Sequence, residues 1–264
     1  MKLVVLTSNS LRHKYIVSKL VDIFDVQLII SEEKSVEIED TKKYNLADVN
    51  LVNEHFDKRN KSENKFFGDF KKFPSETCHL NIPHKEINSS FIFNVLNVIN
   101  PDVIVLFGTS IIKKHILNKY QDRVINLHLG LSPYYKGSAT NLFPFYYKQI
   151  ECIGATIHIA TENVDAGDII HQYRPDINLN DDIHDIGNKV ILKSGIELPK
   201  AIKSFFDENF VPVKQIPFES VICKIKEVTP DLLRVIYSNI ETGIVETFLR
   251  NEESLINEKP IIKI

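Results

Sequence analysis

Asp102-Val103-Ile104-Val105-Leu106-Phe107-Gly108 is the strongest strand signal in the chain. An unbroken apolar run that stops at a glycine belongs to a strand covered on both faces, as in a parallel sheet with helices above and below. The flanks fit that sheet. Upstream, Cys78–Ile82 reads as a strand and Asn88–Val98 as a helix; downstream, a helix around Ile111–Leu117 leads to a strand at Arg123–Leu127. At the start of the chain, Leu3–Leu6 is a short buried strand. Ser8-Asn9-Ser10 can cap a helix from Leu11, in which Tyr15, Ile16, Lys19 and Leu20 keep a helical period, and Val26–Ile30 follows as a second strand. Strands alternating with helices at this spacing predict an α/β fold with a Rossmann-like, mostly parallel sheet.

The rest of the chain departs from that rhythm. Residues 31–75 are polar, with one helix expected through Leu51, Val52, His55 and Phe56 and the remainder wrapping the surface. Gly154–Ala160 and Ile169–Ile177 read as strands joined by the short Glu162–Asp168 turn, which makes them an antiparallel hairpin. A long helix over Asp182–Phe206 follows. Pro212 and Pro217 mark a linker, and the tail carries a strand (Val221–Ile225) and a helix (Asp231–Leu249). We therefore expect a catalytic domain over 1–208 and a small C-terminal α+β appendage over 209–264.

Composition narrows the function classes. The chain has 264 residues, 43% of them hydrophobic, enough for a sizeable core. A net charge of −3 argues against a general nucleic-acid binder, which needs a large basic surface to neutralise phosphates. Residues 206–264 are acidic, with seven Lys/Arg against ten Asp/Glu. Cys78, Cys152 and Cys223 are scattered, as reduced thiols are, and no CxxC pair or HxxxH spacing suggests a metal site. No run approaches the ~18–20 apolar residues of a membrane span, and the apolar start of the chain is short for a signal peptide. A cytoplasmic protein, without a membrane or nucleic-acid partner, is expected.

The chemistry concentrates in Val124-Ile125-Asn126-Leu127-His128-Leu129-Gly130-Leu131-Ser132-Pro133. Alternate side chains of a strand share a face, so Val124, Asn126 and His128 point one way. One face thus turns polar at the carboxyl end of a strand, where open α/β sheets bind ligands. Asp165 and Asp168, in Asn163-Val164-Asp165-Ala166-Gly167-Asp168, have equal claim on physical grounds to join this pair.

Asn126-x-His128, a Leu-Ser-Pro-type loop ending in Lys136-Gly137, and Val-Asp-x-Gly-Asp at 164–168 together resemble the 10-formyltetrahydrofolate-dependent formyltransferases, most of all the sugar N-formyltransferases. The resemblance covers residues 78–180 well and the first thirty loosely, and it matches the family's catalytic carboxylate to Asp165. It implies catalysis by Asn126, His128 and Asp165, with no metal. It also implies that the folate co-substrate is held largely by the backbone of Phe107-Gly108-Thr109-Ser110-Ile111 and Glu162-Asn163-Val164.

For the acceptor, the resemblance implies the amine of a small molecule, a nucleotide-linked amino sugar. Family members acting on initiator tRNA carry a C-terminal barrel and a basic surface, unlike this acidic tail. Those acting on glycinamide ribonucleotide begin with a glycine-rich loop, which Thr7-Ser8-Asn9-Ser10 lacks. Asn9, Arg12, His13 and Lys14, at the start of a helix, are candidates for phosphate, and Tyr134 and Tyr135 for sugar or base. Glycinamide ribonucleotide formylation and hydrolysis of formyltetrahydrofolate, in which water replaces the amine, stand as alternatives. The apolar helix Leu232–Leu249 offers a face for a homodimer.

Overall fold

The computed structural model describes residues 1–33 and 44–264. Its main sheet has seven strands in the order β3-β2-β1-β4-β5-β7-β8. They are β1 (Lys2–Ser8), β2 (Asp25–Glu32), β3 (His79–Ile82), β4 (Val103–Phe107), β5 (Val124–His128), β7 (Ala155–Ile159) and β8 (Ile169–Tyr173). The pairs from β3 through β5 are parallel, whereas β7 runs antiparallel to both β5 and β8. The mostly parallel sheet and its antiparallel pair are as the sequence implies.

The apolar run that announces β4 is wholly buried because the sheet is clothed on both sides. Leu3 and Val5 of β1, with Val103 and Val105 of β4, enter one core layer, which includes residues of α1 (Leu11–Val21) and α6 (Ile183–Phe205). Val4, Leu6, Ile104, Leu106 and Val124 enter the other, beneath α3 (Ser90–Ile99) and α4 (Lys114–Lys119). Asn126 and His128 share the face of Val124. The strand order reverses at β1, which lies between β2 and β4, so the crevice at the carboxyl ends of β1 and β4 is the expected ligand cleft.

Several elements depart from their expected bounds. The helix anticipated near Leu51–Phe56 runs as α2 over Leu46–Phe67, started by the Asn45 side chain accepting from the Asp48 amide. Residues 34–43, part of the stretch expected to wrap the surface, lie outside the described residues. The single tail helix expected over Asp231–Leu249 is divided into α7 (Pro230–Glu241) and α8 (Ile244–Arg250), and α9 (Glu252–Glu258) follows. The break is at Gly243, whose φ of 81° ends α7 in a conformation that glycine adopts without strain. The tail strand is shorter than expected: β9 (Val221–Cys223) pairs in parallel with β6 (Tyr135–Gly137) in a separate two-stranded sheet.

The tail packs onto the body of the protein. Ile236, Ile244, Val245 and Phe248 join the core layer of α1 and α6, with α7 lying against α2 and α5 (Phe143–Tyr147). The apolar face suggested for a second copy is therefore covered within the chain. Among the described residues, no helix is long and apolar enough to cross a membrane.

Candidate active site

β5 delivers Asn126 and His128 to the carboxyl edge of the sheet, and the β7–β8 turn brings Asp165 over them. The Asp165 carboxylate lies 3.2 Å from His128 Nδ1 through Oδ2 and 3.2 Å from the Asn126 amide nitrogen through Oδ1. Asp168 takes no part in this contact; its carbonyl accepts from the Ile159 amide instead. Two residues that fold reasoning left equivalent are thus separated by geometry.

The turn is shaped for this one carboxylate. Asp165 has φ of 49°, the left-handed region, where aspartate is better tolerated than bulkier side chains. Its carbonyl accepts from Ser132 Oγ at 3.2 Å, and its Oδ2 accepts from the Gly137 amide at 2.9 Å. Gly167 is required by close approach, since a Cβ there would stand 1.7 Å from the Ile159 carbonyl oxygen.

A fourth side chain completes the cluster. His158 of β7 is in register with Asn126, and its Nε2 lies 3.0 Å from the Asn126 amide nitrogen and 3.4 Å from Asp165 Oδ1. Its Nδ1 is 2.8 Å from the Ile159 carbonyl, which requires the proton on Nδ1 and leaves Nε2 to accept. Both amide protons of Asn126 are then used, one toward His158 and one toward Asp165. The opposite orientation of the amide would set its oxygen against a carboxylate. Sequence reasoning missed His158 as a partner. A signal was present: Thr156 and His158 are the polar members of an otherwise apolar strand, and antiparallel pairing puts them on the face of Asn126 and His128.

Thr156 and Gln172 of β8 hold the loop after β5. Gln172 Nε2 donates to the Ser132 carbonyl at 2.6 Å, and Thr156 Oγ1 donates to the Gly130 carbonyl at 2.7 Å and accepts from the Ser132 amide at 2.9 Å. That loop contains a cis Ser132–Pro133 bond.

Charge follows from these contacts. Burial opposes ionisation of Asp165, yet the His128 ring and the Gly137 amide hold its carboxyl below the ordinary carboxylate range. Burial pushes the His128 imidazole below its ordinary value, opposed mainly by Asp165. The resting pair is a carboxylate beside a neutral ring. Both ring nitrogens face oxygen acceptors, since Nε2 lies 3.1 Å from the Tyr135 carbonyl. A proton taken up by the ring would satisfy both contacts at once. Burial also lowers the ammonium of nearby Lys136.

An ion pair ties the second of the two loops expected to hold folate to the helix that follows the first. Lys114, just past Ile111, pairs with Glu162 at 3.1 Å. Ile111 and Val164 are 71% and 49% exposed, so each loop presents an apolar side chain to solvent beside a polar centre. Phe107 is buried, Gly108 sits at φ of 75°, and Thr109 Oγ1 donates to the Ser110 carbonyl. The Ser110 amide already donates to Glu32, and the Ile111 carbonyl accepts from Asn88. Asn163 uses its carbonyl to accept from Thr161.

The candidate acceptor residues are placed less openly. Asn9 is exposed. Arg12 is engaged by Glu63, whose carboxylate accepts from both its guanidinium at 2.5 Å and its backbone amide at 3.2 Å. An internal carboxylate thus occupies the position a phosphate would take at this helix start. His13 is buried against Phe107, and Lys14 donates to the Lys71 carbonyl. Tyr134 and Tyr135 are buried, with hydroxyls on the Pro260 carbonyl and Gln149. Neither ring is open to a ligand in this structure. Among the described residues, no group of three or more His, Cys, Asp or Glu is arranged to hold a metal ion.

Comparison with known proteins adds a family. The model described as formyl transferase matches residues 1–202. Methionyl-tRNA formyltransferase of Finegoldia magna is 31% identical over 91 residues, 34% of this chain and 29% of that protein. The same enzyme of Caldicellulosiruptor saccharolyticus is 35% identical over 124 residues, 47% of this chain and 39% of that protein. The chain thus matches well under half the length of these curated relatives. Among solved structures, phosphoribosylglycinamide formyltransferase from Anaplasma phagocytophilum superposes with a TM-score of 0.55 at 16% identity, covering 84% of this chain and 97% of that one. A sugar N-formyltransferase from Shewanella sp. also gives 0.55, at 17% identity, covering 86% and 78%. At these identities the two structures speak for the fold alone.

Proposed function

Because the chain belongs to the formyl transferase family, we propose that it transfers a formyl group from 10-formyltetrahydrofolate to an amine, the acceptor being a nucleotide-linked amino sugar. The observation that carries the reading is the convergence of Asn126 and His128 on the Asp165 carboxylate, each with a polar atom 3.2 Å from one of its oxygens, at the carboxyl edge of the sheet.

The reaction places a negative oxygen and a positive nitrogen on one tetrahedral carbon. Asn126 is the partly open member of the cluster and carries the amide protons suited to that oxygen. To reach it, the amide exchanges one of its present acceptors, His158 or Asp165, for the formyl oxygen, as often happens when a resting site fills. His128 rests neutral with one ring N–H donating, and a second proton lets both ring nitrogens donate to their facing oxygens, so it is the group suited to take a proton from the attacking amine. Asp165 keeps the ring oriented and stabilises its charged form. Folate is assigned to the Ile111 and Val164 loops, each of which leaves an apolar side chain exposed for a ring to pack on.

For the acceptor, Glu63 of α2, bonded to Arg12 at the start of α1, argues against a small phosphate monoester anchored there, glycinamide ribonucleotide included. A nucleotide-linked sugar has hydroxyls and a base through which it can be held instead, with Asn9 as the outward-facing contact on that loop. The test is incubation with 10-formyltetrahydrofolate and a panel of nucleotide-linked amino sugars. Donor loss that depends on one panel member supports the reading. Steady formate release without any acceptor would identify a hydrolase.

A further inference from the structure

We propose that Gln215, which lies beyond the family-matched residues 1–202, is a positioning residue that locks the Asp165 turn by bridging two of its carbonyls. Val213 pairs with Ile169 at the edge of the sheet through two 2.8 Å backbone hydrogen bonds. Two residues later the linker passes the turn, and Gln215 Nε2 donates to the Asp165 carbonyl at 2.9 Å and to the Gly167 carbonyl at 2.8 Å. Its Oε1 is buried with no hydrogen-bond partner. Buried amide oxygens are rarely left so. Turning the amide to offer Oε1 a different environment would strip both carbonyls of their donor, so the side chain is held for its donors.

Asp165 has a left-handed backbone and therefore depends on its surroundings to stay in place. Gln215 and Ser132 hold its carbonyl, while Gly137, Asn126 and the histidines meet its carboxylate. Gln215 touches none of the reacting atoms and acts through Asp165 alone. The linker thereby belongs to the catalytic apparatus, although no chemistry-bearing motif in the sequence points to it. The kinetic arm of this inference rests on the formyl-transfer reading; the exchange arm below does not.

The experiment uses the full chain and the variants Gln215→Met and Gln215→Glu, which keep the length of the side chain and remove its donors. Hydrogen exchange is read at the Gly137 amide, which donates to Asp165, and at the adjacent Ser138 amide, which donates to the Cys223 carbonyl. We expect Gly137 exchange to rise on the order of tenfold with Ser138 unchanged. We also expect kcat to fall roughly tenfold with KM for the formyl donor unmoved. Parent-like exchange and kcat in either folded variant would overturn the proposal. So would Gly137 and Ser138 rising together, which marks Gln215 as a general fastener of the tail, or faster Gly137 exchange with undiminished kcat. Should the Met variant lose its fold, the Glu variant, which keeps a polar head, carries the test. If the parent moves no formyl group, the functional reading fails and the exchange measurement still decides this one.

Discussion

His158 stands directly across the sheet from Asn126, and its Nε2 accepts from the Asn126 amide at 3.0 Å. With Nδ1 committed to the Ile159 carbonyl, the ring has one lone pair to offer, and it offers it to the side chain that would meet the formyl oxygen. His158→Leu should therefore release the Asn126 amide and lower kcat by about 10- to 100-fold, the range expected when a catalytic group loses its alignment. Affinity for the formyl donor should change little. Steady-state kinetics with both substrates varied will read the split.

The two aspartates of the turn give a paired test. Asp165→Asn removes the charge that orients His128 and should lower kcat by about 10²- to 10⁴-fold, as loss of acid–base function does. Asp168→Asn leaves the cluster intact and should retain activity near that of the parent. Equal losses in both variants would remove the basis for choosing Asp165.

Gly167 links the turn to the fold. Its substitution by alanine sets a Cβ against the Ile159 carbonyl and should lower stability by about 1–3 kcal/mol, the usual penalty of overpacking. Activity should fall with it, since Asp165 is displaced by the same shift. Denaturant unfolding and a parallel rate measurement check both.

Two buried histidines away from the site predict acid sensitivity. His55 of α2 meets Tyr237 of α7 at 3.0 Å and packs edge-on to His184 of α6. Burial lowers the two imidazoles to about 3 and about 4, respectively, with His184 and nearby cations adding to the effect on His55. Their unfolded counterparts titrate at about 6.5. Below that value the unfolded chain binds protons that the folded protein refuses, so stability falls as pH drops from about 6.5 toward 4. The slope is at most about 1.4 kcal/mol per pH unit for each imidazole. Melting temperature against pH should show this slope, and His184→Gln should flatten it.

How far the sequence could be read depended on the range of the interaction. The parallel strands were legible because an apolar run such as Val103–Phe107 reports burial on both faces by itself. Asn126 and His128 were legible because strand alternation puts them on one face. Their partner His158 lies 32 positions away from Asn126, and only the register of β5 with β7 makes them neighbours. Arg12 illustrates the opposite error. Its place at a helix start suggests an anion site, but Glu63, 51 positions on, supplies the anion from within. The division of the tail helix was in principle readable at Thr242-Gly243, where a glycine interrupts an otherwise apolar pattern that continues on the far side.

Formyl transfer requires that the formyl group end on an amine. Supplying 10-formyltetrahydrofolate labelled with ¹³C at the formyl carbon, together with the panel member that stimulates donor loss, tests it directly by NMR. The label should appear as a formamide on the acceptor, at a rate reduced at least about 100-fold by His128→Ala. Label recovered only as free formate, or transfer undiminished in that variant, would contradict it.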